Sequence, residues 1–303
     1  MRYNNLKVII GKPTGFCSGV KRAIAMVKHQ AEQAKNGTLV YTLGPIIHNA
    51  EVVNELKQLG VKTINNVKDL KPNKNKKSIV IIRTHGCAPE VIAKIKNLGY
   101  NVIDATCPYV RRVQNYALKF KNDGYLTVVV GDKHHPEVKG IMGYAEPNVK
   151  VLDINTKPSK KRIKMNNTRI GIIGQTTIPL EYFQHAVNTF SAGDFQEIRV
   201  FNTLCKEALN RQKISKNLSG KVDAMVVIGS RTSANTRHLA DIARTSNARV
   251  YQVQDKSELR LDWRSNPQRI GVVAGTSTPQ STVFEVVKQI KKISRPRGSY
   301  AHG

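Results

Sequence analysis

The sequence predicts an α/β protein built from three related units, each with a small parallel sheet. Three observations carry that reading. Short β-branched runs alternate with amphipathic stretches along the whole chain, the pattern of βαβ units. Cysteines recur with a long period, at Cys17, Cys107 and Cys205, spaced 90 and 98 residues apart. Finally, the 303 residues are 40% hydrophobic and 23% charged, enough apolar side chain for sizeable cores and unlike a disordered chain.

Taken in order, strands are expected at VII (8–10), SIVII (78–82), LTVVV (126–130), RIGII (169–173), AMVVI (224–228) and RIGVV (269–273). Helices are expected at SGVKRAIAMVKHQAEQA (18–34) and STVFEVVKQIKKI (281–293), among others. Each repeating cysteine follows a strand-like run: KVII before Cys17, NVID before Cys107 and EIRV before Cys205. Each precedes a helical pattern rich in basic residues. A polar loop follows each cysteine after 28–31 residues, with His48, with His135, and with Ser233 and Asn235. A second follows after 68–72 residues, with His85, Thr176 and Ser277. These spacings set the expected units at 15–104, 105–202, and 203–292 completed by 1–14, with 293–303 a flexible tail. In parallel sheets the loops at the carboxyl ends of strands carry chemistry, so all these residues are candidates.

Three thiolates brought to one place suit an iron–sulfur cluster that lacks one protein ligand. They fit a structural zinc site poorly, since such sites usually close with four ligands. An iron without a protein ligand is a Lewis acid able to take a substrate oxygen. The full fold expectation is therefore three α/β units around a central iron–sulfur cluster, on a pseudo-threefold axis. Cys87 follows His85-Gly86 without a counterpart in the other two units and reads as a small packed residue. His48, His85, His135, Ser233, Asn235 and Ser277 supply donors near helix starts, a ring suited to a phosphate-like anion. Glu137, two residues past His135, is a candidate proton donor if a dry setting raises its pKa; an ordinary first-turn charge is the alternative. Thr176 is placed either to bond a substrate or to cap the next helix.

Lys and Arg number 49 against 21 Asp and Glu, a net charge of +28. Basic residues concentrate at 71–77, 157–164 and 291–297, where solvated linkers are expected. The field would speed encounter with an anionic substrate and an acidic partner protein. Nucleic acid is not the expected partner, because aromatics are only 6% and do not interleave with the basic runs. No apolar run is long enough to span a bilayer, and the start lacks a signal-peptide core, so a cytoplasmic setting with reduced thiols is expected.

The segments GFCSGVKRAI (15–24), GPIIHN (44–49), RTHG (83–86), DATCP (104–108), HPEVKG (135–140), GQTT (174–177), NTLC (202–205) with RQ (211–212), SAN (233–235) and AGTSTP (274–279) occur in an order and spacing that resemble one family. It is the LytB/IspH family of 4-hydroxy-3-methylbut-2-enyl diphosphate reductases. The resemblance implies a three-lobed α/β fold around a 4Fe–4S cluster with one iron not ligated by protein. It implies reductive removal of the 4-hydroxyl from the allylic diphosphate, giving isopentenyl and dimethylallyl diphosphate. Carried over, Cys17, Cys107 and Cys205 would hold the cluster. Glu137 would supply protons, helped by Thr176 and by a relay through His135. His48, His85, His135, Ser233, Asn235 and Ser277 would contact the diphosphate, with Thr176 against the hydroxymethyl end. A ferredoxin or flavodoxin would donate electrons. Two departures stand out: Ala234 where the family usually has Ser, and Glu207-Ala208 where a hydroxyl is usual shortly after the third cysteine. They leave open a cluster-bearing relative with a different hydroxylated or phosphorylated substrate. A basic nucleic-acid-binding protein is the remaining alternative.

Overall fold

The structure is a computed structural model that describes residues 6–34, 37–73, 77–156, 168–193, 195–247, 249–259 and 267–293. The basic run 157–164, the middle of 71–77, the end of 291–297 and the tail beyond 293 lie outside the described residues. The chain forms two compact units, residues 18–205 and residues 206–303 joined by 1–17.

The 18–205 unit holds two sheets. In the first, β2 (Val40–Leu43) lies between β3 (Lys62–Ile64) and β4 (Ile79–Ile82), and β5 (Asn101–Asp104) closes the order β3-β2-β4-β5. In the second, β6 (Leu126–Gly131), β7 (Val149–Asp153), β8 (Arg169–Gly174) and β9 (Glu197–Val200) are ordered β7-β6-β8-β9. All pairs are parallel. Their helices are α1 (Ser18–Gln33), α2 (Ala50–Gln58), α3 (Pro89–Asn97), α4 (Pro108–Asn122), α5 (Pro136–Ala145) and α6 (Leu180–Ser191). Strands covered on both faces need no polar alternation, and IVII and LTVVV read as continuous apolar runs for that reason. Val128, Val129, Val130, Ile172 and Ile173 are buried accordingly. Gly171 breaks the apolar run of β8 because the Phe120 ring of α4 occupies the space a side chain would need.

In the other unit, β10 (Ala224–Ile228), β11 (Val250–Val253) and β12 (Arg269–Ala274) are joined by β1 (Lys7–Ile10), in the order β1-β12-β10-β11. Read from the other edge, β11-β10-β12-β1 repeats the order of the two sheets above. The N-terminal strand pairs in parallel with β12 and takes the place that β5 and β9 take elsewhere. The helices here are α7 (Lys206–Ser219), α8 (Ala234–Arg244) and α9 (Gln280–Ile293). Helix α7 is unusual in what it buries. Alongside Ala208, its inward face carries Arg211, Gln212, Ser215 and Ser219.

The repeat extends to single hydrogen bonds. The Cys107 N–H donates to the Thr84 carbonyl at 2.9 Å and the Cys205 N–H to that of Thr176 at 2.8 Å. In the other unit, Cys17 N–H donates to Thr276 O at 3.1 Å. Each cysteine is thus fixed to the loop that follows the neighbouring strand of its own sheet, just before a helix begins.

Candidate active site

Within residues 18–205, three imidazoles meet. His48 lies in the turn after β2, next to Asn49, whose side chain caps α2 by accepting from Val52 N–H at 2.9 Å. His85 lies in the turn after β4, where Gly86 takes φ +69°, a conformation glycine adopts without strain. His135 is the N-cap of α5, ahead of Pro136 at the first helical position. Ring centroids are 4.9 Å apart for His48 and His85, 5.2 Å for His85 and His135, and 6.3 Å for His48 and His135.

Such a trio could hold a metal, with one ring nitrogen from each within 4.8 Å of the others. The hydrogen bonding of His135 argues for an anion instead. Its Nδ1 accepts the Glu137 N–H at 3.2 Å, which in a neutral ring leaves the proton on Nε2. That nitrogen is a donor, suited to a phosphate oxygen, and would have to lose its proton to bind a metal. The Nδ1 of His85 is fully enclosed. Burial pushes the His85 pKa well below the ordinary histidine value, and His135, His48 and Arg83 push the same way. An anion placed among these rings reverses that balance.

Glu137 lies in the first turn of α5 and is 1% exposed. Its Oε1 accepts the Thr176 N–H at 2.7 Å and its Oε2 accepts the Thr176 hydroxyl at 3.0 Å. Burial raises its pKa to about 7, while the two bonds from Thr176 pull the other way. A carboxyl in this state exchanges a proton near neutrality, as a general acid requires. Thr176 itself sits in the loop after β8, held by Cys205 on its carbonyl. The helix cap considered for that residue from sequence is not its role; Pro179 is the N-cap of α6.

In the other unit, Ser233 caps α8, its Oγ accepting the Thr236 N–H at 3.4 Å, so its own proton is available to a ligand. Asn235 is 3% exposed, and its side-chain oxygen and nitrogen bond to no described residue. Ser277, in the loop after β12, is buried. Buried polar groups of this kind at a helix start fit an anion.

The cysteine positions fit thiolate ligation. Cys17, Cys107 and Cys205 are each half-buried at the start of a helix, where the thiolate form is favoured. Gly19, the second residue of α1, leaves room for the Cys107 sulfur; a Cβ there would lie 2.8 Å from Sγ. Cys87 differs. Burial raises its thiol to about 11 despite Arg111 and Arg83, which suits a packed thiol.

Three buried residues were given no role from sequence, although Arg211 and Gln175 fall in segments that carry the resemblance. Arg211 donates to carbonyls around the Cys17 and Ser277 loops. Gln114 of α4 is wholly buried against the Gly86 turn. Gln175 Oε1 accepts the Asp132 N–H at 3.0 Å and steadies the start of the His135 loop. For Gln114 the signal was no more than a polar residue where the helix turns inward; for Arg211 and Gln175 it was their place in the RQ and GQTT segments. Ala208 and Ala234, the two departures, are both buried.

Three repeated parallel sheets, with a buried carboxyl next to a cluster of three imidazoles at the strand ends, place the chain among α/β proteins with an enzyme-like site. The sequence model of the LytB protein family matches residues 8–291, and the chain belongs to that family. It is 37% identical over 292 residues to the 4-hydroxy-3-methylbut-2-enyl diphosphate reductase of Geotalea daltonii, covering 96% of this chain and 99% of that one. A solved structure of (E)-4-hydroxy-3-methyl-but-2-enyl diphosphate reductase, described as the terminal enzyme of the non-mevalonate pathway, is 35% identical with a TM-score of 0.64. That match covers 95% of this chain and 99% of the other. The reductase from Plasmodium falciparum shares the fold with a TM-score of 0.83 at 24% identity, over 97% of this chain and 89% of that one. Among the described residues no helix is long and apolar enough to cross a membrane.

Proposed function

We infer that the chain carries out the reaction for which its relatives are named. It is a 4-hydroxy-3-methylbut-2-enyl diphosphate reductase, the terminal enzyme of the non-mevalonate pathway. The allylic C–O bond breaks, two electrons and two protons are taken up, and water leaves with isopentenyl or dimethylallyl diphosphate. Family membership implies an iron–sulfur cofactor. In this reading Cys17, Cys107 and Cys205 would hold a 4Fe–4S cluster that keeps one iron without a protein ligand. When bound, that group supplies electrons singly and a Lewis-acidic corner.

The remaining work belongs to side chains. His48, His85, His135, Ser233, Asn235 and Ser277 take the diphosphate, with His135 donating from Nε2. Thr176 keeps Glu137 oriented through two hydrogen bonds, and it would lie against the hydroxymethyl end of the substrate. Glu137 delivers a proton to the departing oxygen, and its burial keeps bulk water from competing. His135, two residues before Glu137, is the residue proposed to relay protons toward the carboxyl; the bond between the two runs from the Glu137 backbone N–H to His135 Nδ1, so the relay would pass through Nε2 and a solvent or substrate oxygen. Electrons arrive from a small acidic ferredoxin or flavodoxin, drawn by the +28 charge.

One observation carries the reading most of the way: a carboxyl 1% exposed, poised near neutrality, one residue beyond the helix start that His135 caps. Anaerobically reconstituted protein should consume the allylic diphosphate with a reduced dye as donor and release both isomeric diphosphates. Reconstituted protein with a full complement of iron and no turnover would overturn it.

A further inference from the structure

We propose that Arg211 is a positioning residue that sets the Cys17 loop and the Ser277 loop as one piece. The proposal rests on the roles given above to Cys17 and Ser277. Arg211 lies mid-way along α7 and is 3% exposed. One guanidinium nitrogen donates to Ala274 O at 2.8 Å and Gly275 O at 3.3 Å. The other donates to Gly15 O at 2.7 Å. Gly15 precedes Cys17 by two residues, and Gly275 precedes Ser277 by two. Just past these anchors the Cys17 N–H donates to Thr276 O, so the two loops are tied to each other directly as well as through Arg211. Thr14 Oγ1 donates to Gln280 Oε1 at 2.7 Å and adds an outer tie. The clasp continues into the sheet, because Gly275 N–H donates to Ile228 O at the end of β10.

Burying a cation is costly unless hydrogen bonds recover the loss, so such a residue holds its carbonyl partners firmly. Only the planar, forked guanidinium reaches two separate loops at once; an ammonium is a single point of contact. Lysine at 211 keeps the charge and loses the span. The consequence is specific: damage at 211 disturbs iron ligation by Cys17 and anion binding by Ser277 together.

Arg211→Lys holoprotein, prepared anaerobically, tests this beside wild type and Ser215→Ala. Ser215 shares the inward face of α7 but donates its hydroxyl to Leu239 O in α8 rather than to a loop carbonyl. Iron per chain, the visible spectrum and the affinity for inorganic diphosphate are read, with thermal unfolding alongside. In Arg211→Lys, iron retention falls and the diphosphate Kd rises at least about tenfold, the loss expected for one charge-assisted hydrogen bond. Ser215→Ala changes neither. Wild-type iron and affinity in Arg211→Lys overturn the proposal, as does a fall in thermal stability alone. If wild type itself holds neither iron nor diphosphate, the functional reading fails rather than this inference. Should Arg211→Lys not fold, hydrogen exchange in the wild-type holoprotein decides. The amides of Cys17 and Gly275 open together if the loops are one clasped piece, and opening at different free energies overturns the proposal.

Discussion

Replacing Glu137 by Gln separates two consequences of one buried carboxyl. The side chain is 1% exposed and its pKa is raised from 4.5 to about 7. A group raised in the folded state favours folding while protonated and loses that advantage as pH climbs through its folded value. Each tenfold gain in proton affinity corresponds to about 1.4 kcal/mol, so ionising the carboxyl in place costs about 3 kcal/mol once pH is well above 7. Gln stays neutral, and its amide can accept from Thr176 N–H and donate to the Thr176 hydroxyl oxygen, so the local bonds survive. The difference in unfolding free energy between Glu137→Gln and wild type should then grow in favour of Gln by roughly 2–3 kcal/mol between about pH 5 and pH 8. Turnover should fall about 10²- to 10⁴-fold, the usual contribution of a positioned acid. Urea unfolding of both proteins across that range, with anaerobic turnover at each pH, makes the measurement. A stability difference that stays flat with pH would refute the raised pKa. Near wild-type turnover in Glu137→Gln would refute the proton-donor role.

Thr176→Val removes a hydroxyl that bonds the carboxylate form of Glu137, so the alkaline limb of the kcat profile should move to higher pH. Binding of inorganic diphosphate should tighten as pH falls, because His85 starts well below the ordinary histidine value and an anion raises it. Calorimetry in buffers of different ionisation enthalpy should show net proton uptake, and proton release would contradict the pocket described here. Gly19→Ala should leave α1 as stable or more so, yet lower the iron held per chain, because the added Cβ meets the Cys107 sulfur. Ala234→Ser should tighten diphosphate binding by about tenfold if the missing hydroxyl is a lost donor; no change would mean that position does not face the anion.

The strands were legible because buried parallel strands leave a plain trace: IVII, LTVVV and AMVVI are short, β-branched and bounded by polar loops. The repeat was legible because chemistry recurs at equivalent strand ends. Cys17, Cys107 and Cys205 mark the same hydrogen bond in three sheets. His48, His85 and His135 were chosen from loop position, and the structure brings the three rings together. What stayed hidden depended on tertiary partners. Helix α7 buries Arg211, Gln212 and Ser215, so it lacks the apolar stripe that reveals an inward face. The partners of Arg211 are backbone carbonyls as far as 196 residues away along the chain, and carbonyls leave no mark in a sequence. Gln114 reads as an ordinary polar helix residue until the Gly86 turn closes over it.

Iron and sulfide counted per chain in anaerobically prepared wild type, Cys17→Ser, Cys107→Ser, Cys205→Ser and Cys87→Ser bear most directly on the account. Wild type and Cys87→Ser should hold about four irons with matching sulfide, and each of the other three variants should hold markedly less. Equal iron in all five proteins, or a loss confined to Cys87→Ser, would contradict the assignment of a single centre to those three sulfurs.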